Sequence, residues 1–207
     1  EQRLPQLQIW LALTRGRSML FRGDITEAGL WFMEARLVAD RTRFGQGLRI
    51  AFTGLAVTAA QQGDLDTARL ADAALREMPA DHGLHWPERH LAHAWVAAAD
   101  GRTADAVAEL RTGAAEAEGR GEALLQVELL YEAARLGSAA AVAAEFAVAA
   151  KGCQGPLIHA RGLFVKGAAK GDPVALAAAE KQFANLGAWV SAAEAASELG
   201  RVLHRAG

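Results

Sequence analysis

The chain has 207 residues, of which 49 are alanine, five proline and one tyrosine, and this composition excludes a sheet-rich fold. Its hydrophobic content of 52% with 22% charged residues is too apolar for disorder and sufficient for a large core. The net charge of −2 lacks the concentrated positive charge of a nucleic-acid binder, and its distribution runs +3 over residues 1–50, −8 over 64–150 and +3 over 151–207.

A hinge signal recurs five times in chain order. Gly23-Asp24-Ile25-Thr26 separates a predicted helix Leu4–Phe21 from a second, Thr26–Arg43. Gly63-Asp64-Leu65-Asp66 separates Leu48–Gln62 from Asp66–Met78, and Gly101-Arg102-Thr103 separates Pro87–Asp100 from Ala104–Glu118. Gly137-Ser138-Ala139 divides Glu122–Leu136 from Ala139–Ala150, and Gly171-Asp172-Pro173 divides Leu157–Lys170 from Pro173–Leu186. Each glycine ends a helix in a left-handed cap, and Asp, Thr or Ser caps the free N–H groups of the next. Pro173 suits a first helical turn, where its missing N–H costs nothing. Gly45-Gln46-Gly47, Pro79 to Gly83, Gly119-Arg120-Gly121 and Gly152 to Pro156 read as breaks between pairs. A final helix, Trp189–Arg205, has no partner and serves as a cap.

The successive hinge glycines lie 40, 38, 36 and 34 residues apart, a period that marks stacked helical hairpins. The expected fold is therefore all-α: an α-solenoid of about five hairpins (residues 4–43, 48–78, 87–118, 122–150 and 157–186) with a capping helix at 189–205. Residues 1–207 form one repeat domain in this reading, because a solenoid spreads its stability over neighbouring repeats. The start at Glu1 without a methionine, in mid-pattern, leads us to expect a piece of a longer chain.

The hairpins resemble tetratricopeptide repeats, which place a small residue seven positions before the hinge glycine and an alanine five after it. Here these positions read Gly16, Ala56, Ala94, Leu130 and Phe164, then Ala28, Ala68, Ala106, Val142 and Leu176. The first three hairpins keep the pattern and the last two depart from it. A narrower resemblance lies in Phe183-Ala184-Asn185-Leu186-Gly187-Ala188-Trp189 followed by Ala192-Ala193-Glu194-Ala195-Ala196. It is similar to the end of the repeat region in large ATP-binding LuxR-type (MalT-like) bacterial regulators, where an ATPase domain precedes the repeats and a helix-turn-helix follows. The resemblance implies a cytoplasmic, non-enzymatic signal-input module for transcription regulation. It would bind a protein or small-molecule inducer on its concave face and take part in self-association, with ATP held in a separate domain. A free-standing repeat scaffold is the alternative. No phosphate loop or basic recognition helix occurs in these residues, so neither ATP nor DNA contact is expected of them.

By the register of such repeats, the first helix of each pair lines the groove, which points to Trp10, Arg17, Trp95, Tyr131, Arg135 and Arg161. Arginine and aromatic side chains carry much of the energy of recognition, although the same rings can instead fill gaps between helical layers. Trp31 and Phe32, on a second helix, read as core between repeats. His82, His85, His90 and His93 fall within twelve residues, and the last two are neighbours on a helix. They are the only metal-ligand candidates and the basis of a remote hydrolase reading, but Pro87 and the lack of an HExxH pattern favour polar packing at a junction. Cys153 is the single cysteine, so no disulfide framework forms within the chain and a reducing compartment follows. It reads as an ordinary half-buried thiol. The apolar stretch Ile50–Ala60 is about half of the ~20 residues a membrane span needs, so no membrane insertion is expected.

Overall fold

The computed structural model describes residues 4–79 and 86–206. Among them are eleven α-helices and no strand: α1 (Pro5–Arg22), α2 (Ile25–Thr42), α3 (Gly45–Gln62), α4 (Leu65–Glu77), α5 (Arg89–Ala99), α6 (Thr103–Gly119), α7 (Ala123–Ala133), α8 (Ala139–Ala149), α9 (Pro156–Lys170), α10 (Pro173–Asn185) and α11 (Trp189–Ala206). The all-α, helical-repeat arrangement expected from the hinge glycines is present.

The hinges explain why the chain turns where it does. At Gly23 the backbone enters the left-handed region (φ 90°), letting the N–H groups of Gly23 and Asp24 bond back to Leu20 and Met19. A side chain there would add roughly 1–2 kcal/mol of strain. Gly63, Gly101, Gly137 and Gly171 take the same conformation. Asp24, Asp64 and Asp172 accept hydrogen bonds from the first free N–H groups of α2, α4 and α10. Ser138 does not: its side chain makes no capping bond to α8.

The chain forms two compact units, residues 1–109 and 110–207. In the first, α1 packs on α2, α2 on α3 and α3 on α4, while α1 also touches α3 and α3 touches α5. That combination of nearest and next-nearest contacts is how stacked hairpins bury a continuous core. In the second, the same order runs α7 on α8, α8 on α9, α9 on α10 and α10 on α11, with α7 touching α9 and α9 touching α11. All ten positions of the small-residue pattern are buried, including the four larger residues Leu130, Val142, Phe164 and Leu176. In the fifth hairpin the close approach has moved to Gly167, where a Cβ would lie 2.7 Å from Leu176.

Two sequence expectations need correction. Gly45-Gln46-Gly47 is no break, since α3 begins at Gly45. Gly47 is there for packing: a Cβ would come 2.6 Å from Phe44 and 2.9 Å from Ile9. The turn before α3 instead uses Arg43, a non-glycine residue in the left-handed region with φ 54°. Residues 123–152 also contain a stretch long and apolar enough, by composition alone, to cross a membrane, and it is longer than Ile50–Ala60. The turn at Leu136 and Gly137 divides them into two 11-residue helices that pack on each other.

Candidate functional site

The odd-numbered helices carry most of the polar side chains drawn into the interior of each unit. In the second unit, Tyr131 on α7, Arg135 just past its end, Arg161 on α9, and Ser191 and Glu194 on α11 form one seam. Arg135 sits just beyond the end of α7, and its guanidinium is gripped by two carboxylates. Nε and Nη2 donate to the two oxygens of Glu194 at 2.7 Å each, and Nη1 donates to both oxygens of Glu132 at 2.7 and 2.9 Å. Burial opposes its charge, but the Glu132 and Glu194 carboxylates outweigh that and hold its pKa well above the usual arginine value.

Tyr131 lies beside this ion cluster, only 2% exposed, with its ring edge-on to Phe164 at 5.6 Å and tilted against Phe183 at 6.0 Å. The Arg161 guanidinium covers the ring at 4.9 Å and reaches Glu128 at 3.8 Å. Burial pushes the phenol pKa up to about 12, although Arg135 and Ser191 pull it the other way. Its hydroxyl makes no hydrogen bond of normal geometry. Tyr131 is therefore part of the core, while Glu128 and Glu194 keep their carboxylates partly open to solvent.

The first unit has a seam of similar chemistry. Arg17 on α1 grips both oxygens of Glu88 at 2.5 Å, just before α5. Next to Glu88, the Trp86 ring meets the guanidinium of Arg49 from α3, at 5.6 Å, and that of Arg89, at 4.3 Å. Trp10 stands apart from this group, 40% exposed and edge-on to Phe44 at 5.9 Å. Trp95 packs half-buried against the apolar core of the unit. Phe32 is core as expected, and Trp31 is half-buried under Arg15 at 4.7 Å.

Of the six groove candidates, the fold thus gathers Tyr131, Arg135 and Arg161, and places Arg17 in the other seam. Trp10 instead packs on Phe44, and Trp95 against the apolar core of the first unit. Sequence reasoning missed Glu132, Glu194, Arg49, Trp86 and Glu88. Glu132 had a local signal, three residues before Arg135 on one helix face. Glu194 had none, since 59 residues separate it from its partner.

His90 and His93 do not converge on a common point. His90 donates from Nδ1 to Glu109 at 2.7 Å, and His93 from Nδ1 to Asp72, which also accepts from Arg76 at 2.9 Å. The rings meet edge-on at 6.1 Å. His82 and His85 lie outside the described residues. Among the described residues no three His, Cys, Asp or Glu side chains gather as they would around a metal ion. Burial raises the Asp72 pKa, but bonding to His93 and Arg76 brings the net value below the usual range. The His90 hydrogen bond likewise lowers Glu109, against a smaller effect of burial.

Comparison of the chain with protein families, with curated proteins and with solved structures returns no match.

Proposed function

We propose that this chain is a non-enzymatic recognition module, the signal-input repeat region of a LuxR-type ATP-binding transcriptional regulator. The observation that carries the recognition part is the pair of polar seams. Arginine, aromatic and carboxylate side chains from alternate helices are fixed in place by one another, and Arg17, Glu128 and Glu194 remain open to solvent at their edges. Pre-set charged groups of this kind orient a partner or inducer without first paying the entropy of ordering them. The regulator part rests on the resemblance of residues 183–196, which form the end of α10, the turn at Gly187 and the first half of α11. A bound partner would act by favouring one arrangement of the regulator over another.

The coding sequence on either side of this chain tests the proposal. A phosphate-loop ATPase upstream and a helix-turn-helix downstream are the expected result. Absence of both overturns the regulator reading and leaves a repeat scaffold. In the full-length protein, Arg17→Ala and Glu128→Ala are expected to weaken the response to inducer without loss of fold, as read by inducer titration of DNA binding.

A further inference from the structure

The second unit also holds a cleft of about 470 Å³ between the end of α8, the turn after it and one face of α9. Its size falls within the range of small-molecule sites. Phe146, Ile158 and Leu163 make it largely apolar, while Cys153, Gln154, His159 and Lys166 supply its polar groups, of which Lys166 carries the fixed charge. The α9 contribution follows from spacing: His159, Gly162, Leu163 and Lys166 fall at i, i+3, i+4 and i+7, along a single stripe. Gly162 keeps the middle of that stripe open. A Cβ there would approach Phe146 only to 3.6 Å, so a longer side chain would extend into the cleft.

Charge indicates what the cleft takes. Between Glu145 and Asp172 the chain carries Lys151, Arg161, Lys166 and Lys170 and not one acidic residue. Both flanking acids are already engaged, Glu145 with Arg111 at 2.5 Å and Asp172 with the first N–H groups of α10. Lys166 is exposed and belongs to no ion pair among the described residues. The lining thus joins an apolar wall to an uncompensated cation. From this we infer that the cleft binds a small apolar carboxylate, its hydrocarbon against Phe146, Ile158 and Leu163 and its anionic end on Lys166. This site shares no residue with the polar seams, so its failure and that of the recognition module are separate outcomes.

The sole cysteine reports occupancy directly. Cys153 lines the cleft, half-buried, with its thiol directed to the Ala149 carbonyl at 3.8 Å. The 207-residue chain is labelled with a neutral maleimide in the presence of octanoate or of octylammonium, which has the same hydrocarbon and the opposite charge. Octanoate is expected to slow labelling saturably and octylammonium to leave it unchanged. Lys166→Ala, at an exposed position that leaves the fold intact, should weaken octanoate protection about tenfold, the scale of one charge-assisted hydrogen bond. Gly162→Leu should abolish the dependence on octanoate by filling the cleft, with helix content checked by circular dichroism. No saturable protection, equal protection by octylammonium, or an unchanged octanoate affinity in Lys166→Ala overturns the inference.

Discussion

At the scale of single residues, backbone conformation and buried polarity give opposite instructions at two positions. Arg43 is a left-handed residue with a side chain, doing at the α2–α3 turn what glycine does at five other hinges. Arg43→Gly is expected to stabilise the protein by about 1 kcal/mol, the strain removed less the extra freedom of the unfolded chain. Denaturant unfolding would show it as a higher midpoint at unchanged slope. Tyr131 separates shape from polarity. Tyr131→Ala should cost about 3–5 kcal/mol, because it empties the space between Phe164 and Phe183. Tyr131→Phe should cost nothing, because the lost hydroxyl has no bonding partner of normal geometry. A loss above about 1 kcal/mol in Tyr131→Phe would mean that the Ser191 contact is a real hydrogen bond.

At the scale of elements, α11 is held by two kinds of interaction. Ala188, Ala192 and Ala195 pack it against its neighbours, while Glu194 ties it to Arg135 at the far end of α7. Removing Glu194 strips Nε and Nη2 of the buried Arg135 guanidinium of their carboxylate partner, while Nη1 keeps Glu132. Glu194→Ala is therefore expected to cost about 3 kcal/mol, toward the lower end for such pairs because Glu194 is partly exposed. Amide exchange should locate the loss, with α11 opening first in the variant. The elements themselves were legible in the sequence to within a few residues, because glycine hinges and aspartate caps are local chemistry. The α7–α11 tie was not, since nothing near Arg135 names Glu194 as its partner. Gly47 misled for a related reason: a glycine needed for close approach looks in the sequence like one needed for a turn.

At the scale of the whole molecule, the acidic middle of the chain becomes structural. Asp72 and Glu109 have pKa values below their ordinary 3.8 and 4.5, through His93, Arg76 and His90. A carboxylate whose pKa is depressed by folding stabilises the protein above its unfolded pKa, and that contribution fades as pH falls through the folded value. Melting temperature should accordingly drop as pH goes below about 4, the usual carboxylate range. In Asp72→Asn the protein should be less stable at neutral pH and its acid-side slope shallower. Tyr131 works at the other end: a phenol pKa raised to about 12 favours the folded state below pH 10, and this contribution is lost as pH rises from 10 through 12. Of the histidine cluster read from the sequence, His90 and His93 lie within the described residues, and both are bonded to carboxylates. Their acid partners, 19 and 21 residues away, were not visible, because helix pairing and not sequence distance brings them together.

The Phe32 ring is wedged between two helices at Gly16 of α1 and Gly54 of α3. A Cβ at Gly16 would lie 3.0 Å from the ring, and one at Gly54 would overlap it. Three positions on three helices therefore share a single space, and none can change alone. Enlarging either glycine demands a smaller residue at 32, and shrinking Phe32 leaves a void that a larger residue at 16 or 54 can fill. Among descendants of this sequence, positions 16, 32 and 54 should drift as one unit, their summed side-chain volume held constant while the identities change.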